Sequence, residues 1–237
     1  MSSLKLRSIC FVVCATLFPL GAGATTITFS ESGLSHGDFV SNQISGVTIS
    51  AINPNRAFDL AQIFDTTASP TRDSDLEDPW STGNLPSTTV LGNALIIAEN
   101  NDPANPDDEG RRPAGSLTLD FAASFQTLGF DLIDVEDLTA ENGSVDFFAA
   151  GGATTNVTFA DLVTRDGTIT WGDNSANRIA PFSASELGLP NISKVTFNLG
   201  GSGAIDNITV PDGGATLALL GLSIAGLGCC KRQGKRA

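Results

Sequence analysis

Between residues 25 and 209 apolar residues recur at every second position, in short runs separated by clusters of Gly, Pro, Asn and Asp. That period places successive side chains on opposite faces of a strand and leaves no apolar stripe for a long helix. Thr25–Phe29, Gly46–Ala51, Ser116–Phe121, Thr127–Val135, Ser144–Phe148, Asn156–Phe159, Thr168–Trp171, Val195–Leu199 and Ala204–Val210 read this way, while Leu95–Ile97 is a continuous apolar run suited to a buried strand. About ten strands at this spacing predict an all-β fold, an antiparallel jelly-roll-like β-sandwich. Ser183-x-x-Glu186 has the spacing of a capping box, and Gly188 would stop a helix of a turn or two there.

The four cysteines, Cys10, Cys14, Cys229 and Cys230, all lie in the apolar ends of the chain. The body has no thiol for a disulfide, a nucleophile or a cysteine zinc site, so core packing must hold it together. From Thr25 to Thr209 there are 25 acidic and 7 basic residues, leaving a charge of −18. Such a surface repels phosphate backbones, which argues against a nucleic-acid partner, and it attracts cations.

The ends differ from the body. Residues 1–24 have the three parts of a secretory signal peptide. Lys5 and Arg7 form the basic start, Ile9–Leu20 the apolar stretch, and Ala22-Gly23-Ala24 the small-residue cleavage site. Residues 210–237 run from Val210-Pro211-Asp212-Gly213-Gly214, through apolar residues 215–230 as a transmembrane helix, to a basic tail, residues 231–237. Pro and paired Gly keep the first part extended, and Lys and Arg after an apolar run halt transfer on the cytoplasmic side. This order of motif, apolar helix and basic end resembles the VPDSG-CTERM tail, a variant of the PEP-CTERM sorting signals, with Gly213 where the family has Ser. The resemblance implies recognition by an exosortase. The expected partners are then signal peptidase and exosortase during export, and the membrane before processing.

Residues 25–209 also resemble an ectodomain found in exported PEP-CTERM-type proteins. The matching pieces are Phe64-Asp65-Thr66, Asp73-x-Asp75-Leu76, Gly92–Ile97, Pro106-Asp107-Asp108, Leu132–Glu136 and Gly201–Asn207. The resemblance implies a jelly-roll-like sandwich with no assigned activity.

Two long acidic stretches, Asp65–Pro79 and Asn100–Pro113, bracket Leu95–Ile97. Loops this long in a compact domain are commonly functional. Asp73 and Asp75 in the first, Asp107 and Asp108 in the second, and Asp134 and Glu136 two residues apart on a strand offer the oxygens a calcium ion takes. Glu31 and Asp206, beside the first strand and on the last, complete the candidate ligands. Plain solvated acidic loops are the competing reading, and Arg72, Arg111 and Arg112 are the local rivals for these charges. Trp80, in Asp78-Pro79-Trp80, is the candidate aromatic platform for a sugar, whereas Trp171 reads as core.

Catalysis is not expected. The single histidine, His36, stands in Ser35-His36-Gly37-Asp38, and no nucleophile elbow is present. The expectation is an exported surface or extracellular-matrix protein with a structural or adhesive role, calcium being the candidate ion. A carbohydrate-binding module acting on exopolysaccharide is the alternative, and a carboxylate-dependent glycosidase comes third.

Overall fold

The computed structural model describes residues 25–210. The expected signal peptide, the sorting motif beyond Val210, the apolar helix and the basic tail lie outside the described residues. Among those described, no helix is long and apolar enough to cross a membrane.

Among the described residues thirteen strands form two sheets. They are β1 (Thr25–Ile27), β2 (Phe39–Val40), β3 (Val47–Ile52), β4 (Ala61–Asp65), β5 (Thr82–Gly83), β6 (Asn93–Ile97), β7 (Gly115–Phe125), β8 (Thr127–Ile133), β9 (Ser144–Phe148), β10 (Thr154–Thr158), β11 (Ser175–Ser183), β12 (Ile192–Leu199) and β13 (Ala204–Val210). The larger sheet runs β2-β4-β6-β13-β8-β11-β5, with β1 added against β13; the smaller runs β10-β9-β12-β7-β3. Every pairing is antiparallel except the short β5–β11 contact.

Alternation decides which face of each strand is buried. Val47, Ile49 and Ala51 of β3 point inward while Thr48, Ser50 and Ile52 face out. Val195, Phe197 and Leu199 of β12, two strands away in the same sheet, do the same. The two inner faces meet in one apolar core, where Phe130 of β8 packs edge-on against Phe197 of β12 with ring centroids 4.9 Å apart. A second, smaller cluster lies on the outer face of the larger sheet, where Phe64, Ile96, Ile133 and Ala204 are covered by Leu76 from the Asp65–Pro79 stretch and by Trp80 directly after it. Strands β6 and β8 are therefore buried on both faces, which explains their near-continuous apolar sequence.

Several local expectations need correction. Thr168–Trp171 forms no strand. Gly167 and Thr168 turn the chain there, and Thr170 instead accepts the Gly83 N–H at 3.0 Å. Strands β4 and β11 went unread because β4 is buried on both faces and β11 carries Arg178 and Pro181, the latter at a break in register. Residues 159–165 form the one α-helix among the described residues, α1 (Phe159–Arg165), where a strand end was expected. Its start is a reciprocal capping box between Thr158 and Asp161. The Ser183–Glu186 box also forms, with the Glu186 N–H donating to Ser183 Oγ at 3.0 Å, but the chain there makes turns.

With no cysteine in the described domain, Phe130–Phe197 is a direct measure of how far stability rests on sheet-to-sheet packing. Phe197→Ala is expected to remove about 3–5 kcal/mol of unfolding free energy. It should lower the urea midpoint at an unchanged slope.

Candidate functional site

At one end of the sandwich the two acidic stretches converge on the C-terminal end of β8. Asp73 starts a short 3-10 turn (Ser74–Leu76) whose Leu76 is anchored in the outer apolar cluster. The second stretch is tied to the sheet by the Ala98–Asp108 bridge and by the Glu109 N–H donating to Ile97 O at 3.0 Å. Asp134, the first residue past β8, adopts a left-handed backbone with φ 55°, which turns its carboxylate toward both stretches.

The result is an acidic pocket of about 340 Å³. Carboxylate oxygens of Asp75, Asp134 and Glu136 lie within 4.8 Å of one another. Asp108 is buried beside them. Ser202 Oγ reaches both of its oxygens, at 3.1 and 2.9 Å, and lies 2.9 Å from Asp134 Oδ2, bridging the two acids. The Gly203 N–H also donates to Asp108. Gly203 has φ 146°, and a Cβ there would sit 3.0 Å from Ile133 O, so glycine is what lets this backbone come close. Asp73 Oδ2 accepts from the Asp108 N–H at 3.3 Å. Asn174 closes the opposite wall: its N–H donates to Asp134 Oδ1 at 2.7 Å and its side-chain amide to the carbonyls of Asp75 and Glu77.

Arginine answers only part of this charge. Arg72 pairs with Asp107 at 3.1 Å, and Arg112 with both Glu136 and Glu141 at 3.0 Å. Glu109 turns away to Arg56 and Asn53. Asp73, Asp75, Asp108 and Asp134 have no ion-pair partner among the described residues. Burial is the largest force raising the Asp73 carboxyl, with the Asp108 charge next. Burial likewise raises Asp108 and pushes Asp134 up to about 8, the Asp75 charge adding to it. Chemically this is a set of hard oxygen donors from three chain segments, held in place by hydrogen bonds to their backs, with repulsion that a cation or protons must relieve.

The structure thus brings together Asp73, Asp75, Asp107, Asp108, Asp134 and Glu136 and leaves Glu31 and Asp206 elsewhere. Sequence reading missed Ser202, Asn174 and Glu141. The turn Gly200–Gly203 was visible, but nothing in the sequence places it over β8. Trp80 is a correction: it is 3% exposed, packs in the outer cluster and donates its indole N–H to Thr89 O at 2.8 Å, so it presents no platform. Trp171 packs on the main core beside Phe159. His36 is held structurally, with Nδ1 accepting the Asp65 N–H at 2.9 Å and its ring edge-on to Phe64. Asp38 accepts from the Ser35 backbone N–H.

The VPDSG-CTERM motif family matches residues 209–233, a stretch that begins on the last residues of β13. No curated protein matches the chain. Among solved structures, the K2 cleaved adhesin domain of Lys-gingipain is similar over 80% of this chain and 98% of that one, at 14% sequence identity and a TM-score of 0.38.

A carboxyl group that ionises less readily in the folded chain holds its proton more tightly there than in the unfolded chain. Its contribution favours the fold at acid pH and is lost as pH rises from about 4, the unfolded value, to about 8 for Asp134. In chelator, the melting temperature is expected to fall between pH 5 and pH 8. Asp134→Asn should flatten that fall and raise the value at pH 8 by several degrees, at about 2–4 °C per kcal/mol. Thermal melts of both proteins across this range check it.

Proposed function

We propose that this is an exported, surface-sorted protein whose sandwich domain serves a structural or adhesive role and is stabilised by calcium in the acidic pocket. The observation that carries the export reading is the VPDSG-CTERM match, contiguous with strand β13. In this reading signal peptidase cuts after Ala24. The apolar segment from residue 215 to 230 then holds the chain in the inner membrane, and an exosortase processes the tail at Val210–Gly214. The domain is left at the envelope surface or in the extracellular matrix.

The jelly-roll reading rests on strand order. The last eight strands distribute as β6-β13-β8-β11 in one sheet and β7-β12-β9-β10 in the other, the interleaving that two Greek keys produce. Calcium is favoured over a wholly proton-neutralised pocket because the donors come from three separate chain segments and Asp73, Asp75, Asp108 and Asp134 have no ion-pair partner among the described residues. A non-catalytic role is preferred because the only histidine is engaged in the fold.

One observation favours a second reading, glycan binding. A groove of about 580 Å³ lies on the outer face of β8, β11 and β13, lined by Asn84, Asp131, Asp166, Arg178 and Asn207. These are the hydrogen-bonding groups a sugar uses, but no Phe or Trp among the described residues is exposed to stack on it. Binding to the native exopolysaccharide, lost in Asn84→Ala, would establish this reading over the structural one.

Replacing Pro211 and Asp212 by Ala is expected to leave the chain in the inner-membrane fraction, whereas the wild type reaches the surface with its tail removed. Identical fractionation and mass for the two would reject the sorting role. Calcium at about 100-fold over its dissociation constant should add about 2.7 kcal/mol of stability, or about 5–11 °C in melting temperature for a domain of this size. The Asp75→Asn/Asp134→Asn double variant is expected to lose the pocket's share of that gain.

A further inference from the structure

Glu31 and Asp206 lie apart from the pocket, and because β1 pairs with β13 the chain leaving β1 toward Glu31 runs alongside Asp206. After β1 the chain turns at Phe29, which has φ 55°, into a 3-10 turn (Glu31–Gly33). Glu31 Oε1 is satisfied locally, accepting from the Thr28 N–H at 2.8 Å and Thr28 Oγ1 at 3.1 Å. Its Oε2 is buried and has no hydrogen-bond partner. Asp206, on β13, is 0% exposed. Its Oδ2 accepts from Asn207 Nδ2 at 2.8 Å, while Oδ1 is buried and unpartnered.

The obvious cation is already engaged. Arg178 forks onto Asp131, the cross-strand neighbour of Asp206, with Nε–Oδ1 at 2.9 Å and an Nη–Oδ2 contact at 2.8 Å. Burial, then the charges of Asp131 and Glu31, push the Asp206 carboxyl up to about 9. A fully buried carboxylate beside a half-buried one, each with one buried oxygen left without a donor, is the arrangement a hard cation resolves.

We propose that Glu31 Oε2 and Asp206 Oδ1 are ligands of a second calcium site, a clasp that fastens the loop after the first strand to the last strand. Its position gives it a role the pocket lacks. In the β1–β13 ladder Thr25 pairs with Val210, Thr26 with Thr209 and Ile27 with Ile208. The first residue after the expected signal cleavage therefore lies beside the first residue of the sorting motif. Calcium in the clasp holds β1 down and thereby fixes the root of the tail. It does so independently of the acidic pocket.

Hydrogen exchange on the full chain in detergent micelles, in chelator and in millimolar calcium, tests this. Calcium is expected to slow exchange of the β1 amides at least about tenfold in the wild type and equally in the Asp75→Asn/Asp134→Asn pocket variant. Asp206→Asn and Glu31→Gln should each abolish the slowing. No calcium effect on β1 in the wild type overturns the clasp, and that measurement needs no variant to fold. Slowing that survives in both Glu31→Gln and Asp206→Asn also overturns it. Loss of the effect in the pocket variant would assign it to the pocket, removing the clasp while leaving the pocket reading intact.

Discussion

The apolar contact between the two sheets is the interaction on which everything else in this domain depends. Nothing else joins them strongly, since the described chain has no cysteine and only one short helix. The inner faces of β3, β7, β9 and β12 close over those of β4, β6, β8, β11 and β13, and the aromatic pair Phe130–Phe197 sits in that layer. A sandwich held in this way tolerates irregular loops at its ends, because the loops contribute little to the contact. The acidic stretches are such loops: the first is ordered by the apolar anchors Leu76 and, just after it, Trp80, and the second by backbone pairing next to β6.

The second theme is buried negative charge. Where a guanidinium is near, the carboxylate is neutralised in place, as with Asp131 and Arg178 or Glu109 and Arg56. Where none is near, the acids cluster, and burial works against their ionisation. Seven basic residues against 25 acids leave no third option within the body of the chain. The buried acids that lack a guanidinium ionise only against burial, so the stability of the domain should follow pH.

Much of the fold was legible because half-buried strands advertise themselves. Val47–Ile52, Ser144–Phe148 and Ala204–Val210 were readable to within a residue at each end. Strands that break the alternation were not: Ala61–Asp65 is buried on both faces, and Ser175–Ser183 hides Arg178 and Pro181 in its middle. The helix at Phe159 was obscured because its cap uses Asp161 and its seven residues carry little periodic signal. The acids that form the pocket could be named from their crowding. That Ser202 would bridge two of them, and that Glu31 and Asp206 would part from the rest, depends on which strands lie side by side, and that is long-range information. Trp80 was misread for a related reason. A tryptophan after Asp-Pro looks like a loop tip, yet the outer face of β6 and β8 is apolar and needed a lid.

Strand β13 has a consequence for the order of events during synthesis. It lies between β6 and β8 and also carries β1, yet it is the last segment of the domain to leave the ribosome. Until it arrives, the larger sheet has a gap at its centre and its flanking strands present unpaired edges. A chain built this way cannot close early from its N-terminal half. Its larger sheet is completed only once its final strand has been made.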